Sequence, residues 1–334
     1  MSQRKVNKQL GFSDMVMIDH SALHALDDLE RVLDWSSLEG LCRGIYSRKS
    51  GRPSYPLSVL LRSLLLGAWY GLSDVKLEAQ LVRDLLFRKF VGLTYQDSAP
   101  DHSTLSRFRS QLAAHNLADK LLAEVNRQLA AQNIIMQTGS VSIIDATVIE
   151  AHQSRPKRGK HGENTQDSQA DYAVKAGGDG KTTAIYGFKL HLNVEEDGFI
   201  QKQSVTAGNV HDSQQRDALM TGKEEQLYAD SAYASNDTDE KLKKSGVKNA
   251  VIKRAYRNRP LSEQDKAHNA LFTSTRALVE GVIGCHKLHR NLRKTRFMGL
   301  CKNIIHFGLI SVIHNLQKGA KFLKLYGKAQ QMTA

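Results

Sequence analysis

Three carboxylates stand where a metal-dependent phosphoryl-transfer site would use them. Asp145 lies inside the apolar run SVSIIDAT, Asp230 follows the apolar segment QLYA, and Glu280 lies within ALVEGVIG. A carboxylate in apolar surroundings costs several kcal/mol unless it is hydrogen-bonded, exposed at a strand end or bound to a cation. Carboxylate oxygens suit Mg²⁺, and two such ions about 4 Å apart can activate a water or a 3′-hydroxyl and stabilise the leaving oxygen. We therefore predict that these three acids are catalytic and bind metal.

Basic residues accompany the acids. Arg276 precedes Glu280 by one helical turn and Lys287 follows it by two turns, so all three can share one helix face. Residues 281–334 contain ten Lys and Arg and no Asp or Glu, in a chain whose net charge is +13. A long segment without acids favours a phosphate-binding surface. The candidate DNA-binding residues are Arg276, Lys287, Arg290, Arg293, Lys294, Lys189, Arg107 and Arg109.

The hydrophobic pattern predicts helices before the acids and a sheet around them. Apolar residues recur at helical spacing up to about residue 137, whereas the β-branched run 140–147 predicts a buried strand. We predict further strands at 186–194, 199–206, 226–230 and 249–253, and helices at 211–221, 237–245, 261–289 and 302–322. The polar, Gly-rich and basic segment 152–183 is expected to be a flexible loop. The order of these elements is typical of a mixed sheet flanked by helices.

The composition excludes several other classes of protein. Hydrophobic residues make up 41% of the chain and charged residues 24%, so extensive disorder is excluded. The three cysteines are far apart, which argues against a disulfide scaffold or a zinc ribbon and fits a reducing compartment. No apolar run reaches the roughly 20 residues of a membrane span, and we expect a cytoplasmic protein without a membrane partner.

Sequence blocks along most of the chain, in order, resemble the transposases of bacterial insertion sequences. YPLSVLLRSLLLGAWYGLSD, with PDHSTLSRFRSQL, is similar to the helical N-terminal domain of the family named after insertion sequence five. SIIDATVIEA and LYADSAYAS resemble the blocks around the first and second catalytic Asp, and YGFKLHL and TAGNVHDS resemble core blocks between them. TRALVEGVIGCHK is similar to the helix that carries the catalytic Glu.

The resemblance implies a DDE-superfamily enzyme with a ribonuclease-H-like α/β core. Position by position, it identifies Asp145, Asp230 and Glu280 as the catalytic triad and Arg276 and Lys287 as phosphate-binding candidates. It implies two Mg²⁺ ions per site, replaceable by Mn²⁺, and double-stranded DNA as the partner, both as transposon ends and as target. A homodimer or higher oligomer is expected on DNA, because two ends must be held at once. We expect a helical DNA-end-binding and assembly domain at 1–137, the catalytic core at 138–295 and a basic helical segment at 296–334.

The sequence leaves some alternatives open. Helices 56–70 and 74–87 form either a DNA-reading helix-turn-helix or an ordinary helix pair. Asp212 is either an additional acid of the site or, as we favour, the N-cap of the following helix. Structural hydrogen bonding is favoured over metal binding for His191 and His211. The alternative functions are a nuclease without strand transfer and a catalytically inactive DNA-binding relic or regulator.

Overall fold

The computed structural model describes residues 21–46, 53–135, 140–153, 161, 167–176, 182–234, 236–255 and 260–333. The chain divides into two compact units. The first comprises Met1–Ile134 together with Ile305–Ala334, and the second comprises Ile135–Ile304. Most of the C-terminal helix thus belongs to the N-terminal unit.

The first unit is helical, as predicted. Ser73, Asp84 and Asp101 each cap a helix by accepting a backbone hydrogen bond, at 3.3, 3.1 and 2.6 Å respectively, which satisfies an N–H group that the helix itself leaves free. The cap at Asp84 divides the second helix of the possible helix-turn-helix, because a new helix begins immediately after it. The helices are α1 Asp27–Val32, α2 Trp35–Cys42, α3 Leu57–Trp69, α4 Asp74–Arg83, α5 Leu85–Val91, α6 His102–Ala114 and α7 Leu117–Ala131.

The C-terminal helix, α11 (Leu300–Thr333), packs on α7 inside this unit. Asn315 Nδ2 donates a 2.6 Å hydrogen bond to Asn126 Oδ1, and both side chains are buried. A Cβ added at Gly319 would lie 2.7 Å from a methyl of Leu129, so the glycine allows the two helices to approach closely. Lys324 forms an ion pair with Asp28. Several of the basic residues of the C-terminal segment therefore lie on a helix whose other face is part of a hydrophobic core.

The second unit is built on a six-stranded mixed sheet. Its strands are β1 Val141–Glu150, β2 Asp171–Ala176, β3 Thr182–Val194, β4 Ile200–Ala207, β5 Gln226–Ala229 and β6 Lys248–Val251. β3 pairs antiparallel with β1, β2 and β4, whereas β5 is parallel to β1 and β6 is parallel to β5. The helices are α8 Arg216–Leu219, α9 Asn236–Lys244 and α10 Glu263–His289. The predicted fold class, a mixed sheet flanked by helices after a helical N-terminal region, is confirmed.

Glycines allow close strand contacts near the middle of β3, where its pairing with β2 gives way to its pairing with β1. A Cβ on Gly187 would lie 2.0 Å from the carbonyl oxygen of Ile149, and one on Gly208 would lie 2.3 Å from that of Asp171. Both distances are far below van der Waals contact, so any side chain would push the strands apart. These packing constraints explain a glycine in each of the blocks YGFKLHL and TAGNVHDS.

Two predictions about individual elements were wrong. Residues 171–176, inside the expected loop 152–183, form β2, because they pair with the first half of β3. The rest of that loop lies partly outside the described residues, at 154–160, 162–166 and 177–181. The helix predicted at 211–221 is a 3₁₀ turn, Asp212–Gln215, followed by the single turn of α8. Within the part of the chain that the structure describes, no helix is long and apolar enough to cross a membrane.

The turn between β3 and β4 contains a fully buried acid. Glu195 is 0% exposed, and its Oε1 accepts hydrogen bonds from the backbone N–H groups of Asp197 and Phe199 at 3.1 and 3.0 Å. Its other oxygen, Oε2, is buried without a hydrogen-bond partner among the described residues. Burial raises the pKa of Glu195 to about 7, because the charged form loses its hydration. The folded protein therefore binds a proton at this site that the unfolded chain, with a pKa near 4.5, releases.

We expect Glu195→Gln to change the free energy of unfolding more favourably at pH 8.5 than at pH 5. Because the folded-state pKa is raised, the stability that wild type draws from the protonated acid is present below pH 4.5 and is lost as the pH rises through 7. Glutamine is neutral throughout and retains the acceptor for both N–H groups. Urea unfolding of the variant and of wild type at both pH values measures the difference, which we expect to reach about 1–3 kcal/mol. The matched control is Glu196→Gln at the exposed neighbouring position; an equal effect of the two variants would contradict the account.

Candidate active site

Two parallel strands place Asp145 beside Asp230. Ile144 on β1 is paired with Ala229 on β5, and both side chains lie in the same hydrophobic cluster on one side of the sheet. Side chains alternate along a strand, so the next residues, Asp145 and Asp230, project from the opposite side. Asp145 Oδ1 accepts a 2.8 Å hydrogen bond from Ala146 N, and Asp230 Oδ1 accepts a 2.6 Å hydrogen bond from Ser231 N. The first two predicted acids therefore lie at neighbouring positions, Asp145 on β1 and Asp230 directly after β5.

The long helix α10 brings the third acid to the same side of the sheet. The helix begins at a capping box in which Ser262 and Asp265 accept each other's backbone hydrogen bonds. Phe272 packs edge-on against Tyr228 of β5, with 5.3 Å between ring centroids, which fixes the helix over the face that carries Asp230. The helix also contacts β1, and Val279 in its later turns is buried. Glu280 lies on this helix one turn after Arg276, close enough for its charge to act on Asp145.

Arg276 lies between the acids. Its Nη1 is 3.8 Å from Asp230 Oδ1, and its Nη2 is 3.7 Å from Glu280 Oε1. The Arg276 side chain is only 14% exposed, whereas those of Asp230 and Glu280 are 46% and 60% exposed. One guanidinium thus reaches two carboxylates that remain open to solvent. Sequence reasoning predicted a phosphate contact for Arg276 but not this second role as a counter-ion.

Asp145 interacts electrostatically with Asp230, Glu280 and Arg276. Its pKa is raised above the ordinary value, mainly by burial and further by the negative charges of Asp230 and Glu280; the hydrogen bond from Ala146 and the charge of Arg276 act in the opposite direction. The charges of Asp230, Glu280 and Arg276 therefore all act on the Asp145 carboxyl. Three carboxylates thus surround the single positive charge of Arg276. An additional cation would reduce the repulsion among these carboxylates.

The chemistry of these donors fits Mg²⁺ or Mn²⁺, which prefer carboxylate oxygens and retain waters and substrate oxygens in their coordination shells. Within the described ranges, however, no group of three or more His, Cys, Asp or Glu side chains is arranged closely enough to hold a metal ion. Arg276 accounts for part of this, because its guanidinium lies between Asp230 and Glu280.

A second polar cluster lies on the other side of the sheet, behind Asp145. Lys189 donates to Asp212 Oδ1 at 2.8 Å and to the Val210 carbonyl at 2.7 Å, so the Lys189 ammonium is used within the protein. The expected N-cap role of Asp212 is wrong, because the cap of this turn is His211, which accepts from Ser213 N. The Lys189–Asp212 pair instead ties the turn at 212–215 to the sheet.

The histidine of this cluster is structural, as favoured from the sequence. His191 is 0% exposed and its Nε2 lies 2.9 Å from Thr206 Oγ1. Burial lowers its pKa to about 4, so it is neutral at physiological pH. Its register places it opposite Ala146, on the face of the sheet away from Asp145.

Four of the predicted basic residues lie near the end of α10. Lys287 and Arg293 line one cavity of about 490 Å³ with Val148, Tyr186 and other residues of β1 and β3. Lys294 pairs with Glu150 at 3.2 Å. Arg290 is 7% exposed, and burial lowers its pKa. Lys287 and Arg293 are therefore the members of this set that share an open cavity.

The remaining two predicted DNA contacts lie in the first unit. Arg109 makes a bidentate ion pair with Asp74, with both N–O distances 2.7 Å, and its side chain is 7% exposed. This geometry is that of a structural pair between α4 and α6. Arg107 is exposed and lies on another face of α6, beside a cavity.

Comparison with known proteins identifies two families whose models match the chain. Residues 136–316 match the family described as Transposase DDE domain, which spans more than half of the chain and includes the three acids. Residues 16–111 match the family described as Transposase domain (DUF772). A solved structure described as the synaptic complex of piggyBac transposase with hairpin DNA is similar over 94% of this chain and 80% of its own, with 11% identity and a TM-score of 0.40.

Proposed function

Because the chain belongs to the Transposase DDE domain family, whose members are enzymes acting on DNA, we propose that it is the transposase of an insertion sequence. It binds the inverted-repeat ends of the element, hydrolyses the phosphodiester at each end and joins the freed 3′-hydroxyls to target DNA. The observation that supports this most directly is the convergence of Asp145, Asp230 and Glu280 around Arg276. The predicted assignment to the family of insertion sequence five stays a prediction.

The proposed cofactor is Mg²⁺, with two ions per site and Mn²⁺ as a substitute. Asp145, Asp230 and Glu280 would hold it through their carboxylate oxygens. When bound, Mg²⁺ supplies an activated water and stabilisation of the leaving oxygen. The raised pKa of Asp145 supports this assignment, since it reflects burial plus repulsion among acids, which a bound cation would reduce.

The protein's own side chains position the substrate. Asp145 is held by β1 and half-buried, so its carboxylate is fixed relative to the sheet. Arg276 neutralises Asp230 and Glu280, which lowers the repulsion that a phosphodiester meets on approach. Lys287, in the last turn of α10, and Arg293, just after that helix, line one cavity and bind neighbouring phosphates of the strand. Among the remaining basic residues that the sequence predicts as DNA contacts, we propose a contact only for those whose charged groups are exposed to solvent.

Two ends must be held during one reaction, so we propose that the enzyme acts as a homodimer or higher oligomer on DNA. Residues 1–137 would bind the ends and support assembly. Residues 296–334 would add a basic surface.

Tyr233 is not required as a nucleophile in this scheme, because water and the 3′-hydroxyl perform both steps. Its side chain is 1% exposed, and burial, followed by the charges of Asp212, Asp145 and Asp230, raises the pKa of its hydroxyl. We expect Tyr233→Phe to cleave DNA at a rate close to that of wild type, measured on purified protein with end-containing DNA. Complete loss of cleavage in a folded variant would indicate a covalent tyrosine intermediate and would count against the scheme.

Strand transfer separates the proposed function from a simple nuclease. We would incubate the protein with Mg²⁺, a supercoiled target plasmid and labelled duplexes from the DNA that flanks the gene, ending in either a 3′-hydroxyl or a 3′-deoxy terminus. A transposase joins label to plasmid only with the 3′-hydroxyl. Cleavage without joined product would favour the nuclease, and binding without either product would favour the inactive regulator.

A further inference from the structure

A cavity of about 540 Å³ lies within the first unit, lined by residues from three parts of the chain. Tyr46 follows α2, Pro53–Tyr55 precede α3, and Thr104, Arg107 and Gln111 project from one face of α6. The volume falls within the range of small-molecule sites, which is about 300–1,000 Å³. The cavity thus has the size of a ligand site in a unit to which the acids of the active site do not belong.

The two tyrosines of the cavity are held in place. The Tyr46 ring stacks on Phe108 with centroids 6.4 Å apart and an angle of 22° between the planes. Tyr55 is buried, and its hydroxyl donates to the Ala99 carbonyl at 2.9 Å and lies 3.1 Å from Ser98 Oγ. Two fixed aromatic side chains with Leu60 form an apolar wall, which suits a flat ring.

The polar side of the cavity carries a cation and hydroxyls. Arg107 is exposed, and its hydrogen bonds go to Ser103 and Thr104 through Nε and Nη2, so that Nη1 makes none with the described residues. Ser54 Oγ is buried without a hydrogen-bond partner in the described part of the chain. Asp101 also lines the cavity, but its carboxylate is used as the cap of α6.

We propose that this cavity binds one unstacked nucleotide of a DNA strand, with the base against Tyr46 and Tyr55 and the phosphate on Arg107. Proteins recognise unstacked nucleotides with aromatic rings that stack on the base, together with a guanidinium and side-chain hydroxyl groups that hydrogen-bond to it. This inference rests on the proposed function in taking DNA as the ligand, and it adds a second point of contact with the strand. Arg109 on the same helix is unsuited to that role, because Asp74 occupies both of its terminal nitrogens.

Photochemical crosslinking tests the proposal on the full-length protein. A short single-stranded oligonucleotide with one 5-iodo-2′-deoxyuridine is bound in EDTA, irradiated and mapped by mass spectrometry. We expect crosslinks at Tyr46 or Tyr55, and competition by unlabelled single strand but not by duplex without unpaired bases. Addition of free deoxynucleoside monophosphate distinguishes capture of the nucleotide alone from capture within a strand.

Variants test the cation. We expect Arg107→Gln to weaken single-strand binding by about tenfold, because a charge-assisted hydrogen bond to phosphate is lost, and Arg107→Lys to retain most of it. The control is Arg127→Gln on α7, an exposed arginine paired with Glu124 at 2.7 Å and absent from the cavity lining. Crosslinks confined to other residues, or equal affinities of Arg107→Gln and Arg127→Gln, would overturn the proposal.

The outcome is independent of the catalytic assignment. Crosslinking in the cavity without metal-dependent cleavage would sustain this site while contradicting the transposase activity. Cleavage at the ends with no crosslink in the cavity would sustain the activity and contradict this site.

Discussion

We expect Asp230→Asn to lower the rate of DNA end cleavage by at least about 10³-fold, since losing a carboxylate that binds catalytic metal removes several kcal/mol of transition-state stabilisation. Asparagine has the same shape, and its side-chain oxygen can still accept the hydrogen bond from Ser231 N that caps the following turn. The variant should therefore fold normally. Cleavage rates with Mg²⁺, beside thermal unfolding of the same preparations, separate catalysis from stability.

A matched control is available for this substitution. Asp237→Asn changes another exposed aspartate of the same unit, one that pairs with Lys241 at 3.0 Å on α9. We expect it to cleave like wild type. If Asp230→Asn and Asp237→Asn cleaved equally well, Asp230 would not be part of the active site.

The second large effect is expected at Arg276. Arg276→Gln removes the guanidinium that lies 3.8 Å from Asp230 and 3.7 Å from Glu280, so the acids repel one another and the DNA phosphates more strongly. The loss of one preorganised charged donor lowers turnover by about 10²-fold in comparable sites, and we expect a loss of that size here. Arg276→Lys should restore part of the rate, because the charge returns without the two-pronged geometry.

Binding and cleavage must both be measured for Arg276. The affinity for end-containing DNA in EDTA should change far less than the cleavage rate, because Arg276 is mostly buried and acts at the reacting phosphate. Arg127→Gln again serves as the control for loss of a paired arginine. Wild-type cleavage by Arg276→Gln would show that the guanidinium has only a structural role.

The acids could be predicted from sequence because each interrupts an apolar run. Asp145 lies within an apolar, strand-like segment, and Asp230 directly follows another such segment. The apolar pattern therefore indicates which strand positions each acid. Their convergence is a consequence of parallel pairing between β1 and β5, whereas the order of elements indicated only a mixed sheet. Glu280 and Arg276 follow from helical spacing on α10.

Other features depend on tertiary pairing that one sequence does not display. β2 lies in a segment rich in polar residues and exists because the first half of β3 extends beyond β1 and offers it a partner. The arginines 107 and 109 look equivalent in sequence, yet Asp74 on another helix pairs with only one of them. Nor does spacing reveal that Arg276 interacts with Asp230 as well as Glu280, since that contact crosses from helix to strand.

The most direct test of the account is to map DNA breaks. A plasmid carrying the gene with its own flanking DNA is incubated with purified protein in Mg²⁺ or in EDTA, and in parallel with Asp230→Asn. The account predicts breaks at the ends of inverted repeats in Mg²⁺ with wild type, and none in EDTA or with the variant. Tight DNA binding without breaks in Mg²⁺ or Mn²⁺, or breaks that persist in Asp230→Asn, would contradict it.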